Sequence, residues 1–481
     1  MRRSMRLLIR STLFTTFVIL MTGARAGATS CTHYASPTGT ANGSSASQPF
    51  KIANFWSVAQ PGDTLCLLDG QYTGAVSMIN PPQNRSGTAS ARITVRAVND
   101  GKVWINGQGS GIPVRLSYNN YFVIEGINAS NSVASVVTLS NSNNNIVRRV
   151  AAWDAADGNY SIFGIHYGSH NLLEDVAGWG IARKIYESSQ SGNYTTIRRA
   201  WGRWEGSHVV GPKMTYTLAY NNVNMIVENS IGTWSGERMK QTYVLLDYYG
   251  KPWTGNGAGT YTNYGVDQPY GIFGVDALTG SDKNARNKLL GSIAYVRGSD
   301  RFHPDQAVFV TKLDSMELAH TAAYIEPGTH TNKRPFALYN LQSSVGVNLI
   351  ARNLTAIGGA GSYFGSEWKR SAIAEGGLLS AVVNAFTATT SGANLCYRYQ
   401  DGVLTTQALW PWPMNQRIID ATVQSGRGAV DVTATIESLL GVIPAACKST
   451  TSGGTHSTPP PSSTPLLPRA PSAPANLQVG P

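Results

Sequence analysis

The sequence predicts an all-β solenoid, a single-stranded parallel β-helix, on three observations. One short motif recurs: "NIVRRVAAWD" from Asn145, "NLLEDVAGWG" from Asn171, "TTIRRAWGRW" from Thr195, "NMIVENSIGTW" from Asn224, "NKLLGSIAYV" from Asn287, "MELAHTAAYI" from Met316 and "NLIARNLTAI" from Asn348, with "YFVIEGINAS" from Tyr121 ahead of them. Each unit is made of short alternating apolar runs broken by Asn, Gly and Ser, without a stretch of helical period. Only 14% of residues are charged and 50 of 481 are glycine, a turn-rich composition. Repeats of about 20–30 residues mark stacked coils, each burying its apolar face against its neighbours.

The chain opens with a basic stretch, a mostly apolar run from Leu13 to Met21 and small residues in "TGARAGA". Residues 1–27 are therefore expected to be a secretory signal peptide. The run is too short to span a bilayer and no later segment reaches that length, so a secreted or periplasmic protein without a membrane span is expected. Removing residues 1–27 takes away five arginines and no acids, so the formal charge falls from +11 to +6 (11 − 5). A mild positive excess suits an acidic polymer; nothing in the pattern points to nucleic acid, and a monomer is expected. Export also makes disulfides the expectation for Cys31, Cys66, Cys396 and Cys447. Of three pairings, Cys31–Cys66 with Cys396–Cys447 places one near each end of the folded region.

Aligning the repeats on one apolar anchor gives Ile124, Val147, Leu173, Ile197, Val227, Leu290, Leu318 and Ile350, with steps of 23, 26, 24, 30, 63, 28 and 32 residues. The 63-residue step is expected to hold two coils and an excursion. The position after each anchor reads Glu125, Arg148, Glu174, Arg198, Glu228. Stacked coils place such positions about 4.8 Å apart, so this column is an outward ladder of alternating charge. The next column, Gly126, Arg149, Asp175, Arg199 and Asn229, is expected at a bend.

A second strand in each coil carries different chemistry. In "FGIHYGS", alternation puts Ile165 and Tyr167 inside and His166 outside. The following coils supply "ARKIYES" and "GPKMTYTLAYNN", so the outward residues with their flanking turns are His166 with Arg183, Lys184 or Tyr186, Lys213 and Tyr216. The feeding loops "AWDAADGNYS" and "WGRWEGSHVVGP" add Asp154, Asp157, Trp201, Arg203, Trp204, Glu205 and His208. Two readings fit this gathering of basic, acidic and aromatic residues: a solvated face of ordinary turn residues, or a ligand groove.

The stretch His33–Gly74 has an opening strand with Ser-Pro-x-Gly, an amphipathic segment around Phe50–Ala59, "PGDT", an apolar strand and "DGQYTG". It resembles the N-terminal cap of secreted right-handed parallel β-helix proteins of the pectate-lyase-like superfamily. The resemblance, with the coil period, spans roughly residues 31–390. It implies a right-handed helix with a cap over 28–72, including a short cap helix, and coils with a C-terminal cap over 73–447. The segment Gly392–Ile418 resembles a C-terminal block of secreted bacterial members of that group. The superfamily implies action on polysaccharides, often uronate polymers cleaved by β-elimination. That chemistry needs a cation, Ca²⁺ or a basic side chain, on the uronate carboxylate, and a base within reach of the C5 proton. On the groove reading, Lys184 is the first candidate base and Lys213 the second, with His166, Arg183 and Arg203 the other basic groups. Tyr186, Trp201, Trp204, Glu205, His208 and Tyr216 would contact substrate. Asp154 and Asp157 would hold Ca²⁺, although D-x-x-D-G is equally turn chemistry, and the tryptophans could equally be buried.

Three functions are open on this fold: a polysaccharide lyase, a glycoside hydrolase needing two close carboxylates, and a non-catalytic carbohydrate-binding or surface protein. The remaining residues, 448–481, form a Ser/Thr/Pro-rich linker expected to be disordered. Its last residues, "APANLQVGP", resemble the start of a fibronectin type III module, expected here as a truncated one.

Overall fold

The computed structural model describes residues 30–262, 269–276, 286–304, 306–311, 315–326, 333–339, 348–358 and 396–440. The expected signal peptide, the linker 448–481 and Cys447 lie outside the described residues. From Val114 on, each coil gives one strand to each of three parallel sheets, and the coils before it give strands to two of them, A and B. Sheet A begins at His33–Ala35 and Thr64–Leu67 and ends at Asn348–Arg352; sheet B runs from Gly70–Tyr72 to Thr355–Ile357; sheet C runs from Val114–Ser117 to Arg334–Tyr339. Strand order follows the chain within every sheet. The chain is a right-handed parallel β-helix. Its N-terminal end is closed by helix α1 (Ile52–Val58), whose Ile52, Phe55 and Trp56 are buried at the i, i+3, i+4 spacing of one helical face. Cys31 and Cys66 are disulfide-bonded beside it.

Register follows the anchors in the first coils. Ile124, Val147, Leu173, Ile197 and Val227 are paired neighbours in sheet A, all buried. The next partner of Val227 is Leu289, not Leu290, and Leu318 pairs with Ala351, so Ile350 lies beside Glu317. Two adjacent leucines cannot be told apart by alternation; Leu290 points outward and is buried against Tyr399 of the C-terminal segment. The 63-residue step is also corrected. Ile226–Glu228 pairs directly with Asn287–Leu290, so the step is one coil, widened by an excursion that carries the antiparallel hairpin Thr242–Val244 with Thr260–Thr262.

The bend column is as its composition requires: Gly126, Arg149, Asp175, Arg199 and Asn229 all have positive φ, between 45° and 76°. Between sheets C and A, buried asparagines supply the hydrogen bonds that turns leave open. The Asn171 carboxamide accepts from the Asn145 amide at 3.0 Å, and its Nδ2 donates to the Ser142 carbonyl at 2.9 Å. This explains the asparagine that opens so many repeats.

The core is asymmetric. Sheet C sends inward a continuous stack of rings, Phe163, Tyr186, Tyr216 and Phe273, with centroids 5.0, 4.6 and 4.5 Å apart. Sheet B answers with small residues at the facing column: Ala152, Gly178, Gly202, Gly232 and Ala294. A Cβ on Gly202 would lie 2.6 Å from Thr215 Cγ2 and 3.1 Å from the Tyr186 ring, so the small column makes room for the aromatic one.

The C-terminal segment returns along the outside of the coils. Its hairpin, Tyr397–Gln400 with Val403–Ala408, meets the charge ladder, and helices α2 (Asn415–Gln424) and α3 (Val432–Leu440) join the outer face of sheet B. There Trp153, Trp179 and Trp201 form one apolar cluster with Trp410, Trp412, Met414, Ile418 and Ile436. No described helix is long and apolar enough to cross a membrane.

Candidate functional site

Two polar regions flank sheet C. The first is its outer face. Register brings Ser161 beside Lys184, Gly164 beside Glu187 and His166 beside Ser189. Lys184 is ion-paired with Glu187, whose other oxygen accepts from the Ser161 hydroxyl at 2.5 Å. His166 Nδ1 and the Ser189 hydroxyl are 2.8 Å apart. Burial alone would raise the Glu187 carboxyl. The Lys184 ammonium, then His166 and the hydrogen bonds, outweigh it and bring the group from 4.5 down to about 2.

The second region is a groove of about 690 Å³ among the loops between sheets B and C. Its wall includes Asn106, Gln108, Asn131, Asp154, Asp157, His208, Arg238 and Lys240. Asp157 accepts from the Ser207 hydroxyl at 3.1 Å, from the His208 amide at 2.9 Å and from His208 Nδ1 at 2.5 Å. Burial opposes the Asp157 charge, but the hydrogen bonds from His208 and Ser207 prevail and hold the carboxyl below its ordinary range. An ionised Asp157 fixes the proton on Nδ1 and leaves Nε2 as an acceptor; the Lys240 amide approaches it at 3.3 Å. Arg238 reaches Asp154 at 3.1 Å while remaining 36% exposed. Lys240 is exposed and makes no ion pair among the described residues.

Several sequence expectations are corrected by burial. Tyr186 and Tyr216 belong to the inner aromatic stack, not a substrate surface, and their hydroxyls donate to the carbonyls of Trp201 and of Ala200. Trp204 is stacked inside on Trp234 and donates its indole N–H to the Ala182 carbonyl. Trp201 lies under the C-terminal helices. Tyr167, expected inside, is 56% exposed with φ 55°, because the strand ends at His166. Lys184 and Lys213 are buried, and neither belongs to the wall of the groove, which the equally buried His208 does line. Arg183 ties loops together through the Pro212 carbonyl, Asn159 and the Tyr248 ring. Arg203 binds Glu205 and lies over the Trp201 ring. The buried Glu205 carboxylate is shared with Arg427 at 2.9 Å; burial raises it more than these arginines lower it.

The expected Ca²⁺ ligands do not fit that ion. Calcium takes six to eight oxygens. Asp154 already accepts from the Ile181 amide, Arg238 and Arg427, and Asp157 is committed to His208. Among the described residues, no three Asp, Glu, His or Cys side chains converge to hold a metal. The groove's open cations are Arg238 and Lys240. Sequence reasoning missed both, along with Arg427. "SGERMKQ" sits in the misread 63-residue step, and Arg427 arrives from 273 residues beyond its partner Asp154.

Neither a family model nor a curated relative matches the chain. Among solved structures it is similar to a pectate lyase, at 14% identity and a TM-score of 0.44, over 69% of this chain and 78% of that one. It is similar to an alginate lyase from Paenibacillus sp. str. FPU-7, at 16% identity and a TM-score of 0.39, over 66% and 95%. A rhamnogalacturonan lyase follows, at 12% identity and a TM-score of 0.41, over 67% and 81%. With TM-scores below 0.5 these likenesses carry no argument, and the conclusion rests on the chain's own three parallel sheets: its fold is a right-handed parallel β-helix.

Proposed function

We propose that this is an exported carbohydrate-active protein that acts on an acidic polysaccharide, as a lyase cleaving a uronate polymer by β-elimination. The observation that supports it is the loop groove, where two cations, Arg238 and Lys240, border an imidazole oriented by Asp157. In this reading Arg238 and Lys240 bind the uronate carboxylate and stabilise the charge that develops when the C5 proton leaves. His208 Nε2 is the base, after substrate displaces the long contact from the Lys240 amide. The electron pair freed at C5 forms the C4–C5 double bond and expels the 4-linked sugar.

Hydrolysis is the weaker reading. It needs one carboxyl to donate a proton and another to stay ionised. Beside the groove, Asp154 and Glu205 are cross-linked by Arg427 and Arg238. The test is incubation with polygalacturonate, alginate and chondroitin sulfate, following ultraviolet absorbance of the unsaturated product beside reducing ends. Absorbance that His208→Ala lowers by about 10²–10⁴-fold supports the reading. Reducing ends without absorbance would make the protein a hydrolase, and neither signal would make it a binder.

A further inference from the structure

The edge between sheets C and A carries a pattern that neither the groove nor the fold requires. Five successive coils have left-handed residues there, two in each of the first three and three in each of the last two, where Ser191 and Asn221 are added. In the first column the sequence reads Tyr118, Asn141, Tyr167, Gln190 and Tyr220; in the second, Tyr121, Asn144, His170, Tyr194 and Asn224, all with φ between 50° and 59°. The backbone amides show the stacking: Tyr118 donates to Ser140 and Asn141 to His166, each the residue before the next member of the first column. Tyr121, Asn144, His170 and Tyr194 donate in the same way to Asn143, Ser169, Asn193 and Val223. After Tyr167, which donates to Gln190, the first column shifts by one residue to Ser191. Asparagine tolerates this conformation and bulky side chains are rare in it. Asn141, Asn144 and Asn224 show that these same columns accept asparagine. Aromatic rings nevertheless occupy alternating or adjacent places, and they do not enter the core. Tyr118, Tyr167 and Tyr194 are 48%, 56% and 40% exposed. His170 and Tyr194 lie face to face, centroids 4.8 Å apart and planes within 6°. Arg92 lies over the Tyr121 ring.

We infer that this edge is a second polysaccharide-binding surface, an aromatic track on which a sugar chain lies along the helix axis. The ligand class rests on the polysaccharide reading above, but not on bond cleavage. Tyr118 and Tyr167 are two coils apart, about 10 Å at the strand spacing, close to the length of a disaccharide in an extended chain. An exposed ring presents a flat apolar face and a polar hydroxyl tip, which suits the C–H face and hydroxyl rim of a pyranose. The track begins immediately after the sheet C strip, since His166 directly precedes Tyr167. A polymer held there would be kept near the coils that carry the groove.

The test is native electrophoresis in gels containing polygalacturonate, alginate or hydroxyethylcellulose. The wild type is compared with a Tyr118→Asn/Tyr167→Asn/Tyr194→Asn variant. Asparagine is chosen because these columns already hold it, so the fold is retained. The expected result is retardation of the wild type in at least one gel, binding weaker by about tenfold or more in the variant, and an equal or higher melting temperature. Retardation that depends on the tyrosines without any unsaturated product would remove the lyase reading and leave the track standing. Equal retardation of both proteins, absence of wild-type retardation in every gel, or a lower melting temperature in the variant would overturn it.

Discussion

Arg148 and Arg198 occupy the same column of the same ladder, yet they live in different dielectrics. Arg148 pairs with Glu125 at 3.0 Å with both side chains 24% exposed. Arg198 is fully buried, 2.7 Å from Glu174 and 2.9 Å from Asp401, with the buried Glu228 at 3.6 Å. Glu228 in turn accepts the amides of Asp401 and Gly402. Exposed pairs contribute about 0–1 kcal/mol, whereas removing one partner of a buried pair costs about 3–5 kcal/mol because the other charge is stranded. Arg148→Ala should therefore shift the urea midpoint slightly and Arg198→Ala severely. Sequence alternation revealed the ladder, but it presented both arginines as solvent-facing. The difference comes from a hairpin some 200 residues away, which no local pattern announces. Glu187 gives a second residue-scale prediction. Its folded carboxyl is depressed to about 2 from 4.5, so the unfolded chain binds the proton more readily. The stability it contributes is present above pH 4.5 and is lost as pH falls from there toward 2. Melting curves across that window should drop, and Glu187→Gln should flatten that part of the profile; an identical slope in the variant would show that other carboxylates carry it.

At the scale of elements, the pairing of a ring column with a small column decides how closely sheets B and C approach. Val in place of Gly202 would have to displace Thr215 and the Tyr186 ring, and neither can move outward through a continuous stack. Overpacking of this kind costs about 1–3 kcal/mol. Gly202→Val should lower the melting temperature, while Ala152→Gly, on the same column but without added volume, should disturb it less. These elements show what was legible. The anchors from Ile124 to Val227 were readable because a charged residue follows the aliphatic anchor in every one of these coils, Glu125, Arg148, Glu174, Arg198 and Glu228, whereas no charge follows Leu290. Leu290 was misassigned because Leu289 is its twin, and the long step was misread because length alone cannot separate two coils from one coil with a hairpin. Tyr186 and Tyr216 were placed outside since an aromatic ring suits either face of a strand. Only the facing glycines show that the rings turn inward. Asp154, Asp157 and His208 line one groove because they sit in loops that enter sheet C two coils apart, before Ser161–His166 and before Lys213–Ala219. Arg238 and Lys240, from the misread step, were invisible to that reasoning.

On the scale of the whole molecule, a β-helix of this kind has an outer surface that water normally covers, and here the chain covers part of it itself. The outer face of sheet B is a stripe of tryptophans, Trp153 stacked on Trp179 at 5.1 Å and Trp179 against Trp201 at 6.0 Å. Exposed, it would be an aggregation-prone patch. Helix α2 seals it with Ile418, which is fully buried, and polar tethers fix the position of the lid. The Trp179 indole donates to Ser425, Arg417 reaches Asn128 and Asp100, and Arg427 ends on Asp154 and Glu205 beside the groove. Because the coils have their own core, undocking this segment need not unfold them. Ile418→Asp places an unpaired charge against the stripe, which apolar surroundings strongly disfavour. The expected outcome is release of the C-terminal segment: limited proteolysis should remove it while the coil region survives, and tryptophan emission should move to longer wavelength as the stripe meets water. The same variant should loosen the groove, since Asp154 and Glu205 lose Arg427, one of the cations that offset their charge beside the proposed anion site. Weaker binding of an acidic polymer should therefore accompany the spectral shift. A variant that resists proteolysis like the wild type and keeps its emission maximum would show that the segment is held by its tethers and hairpin, not by the tryptophan stripe.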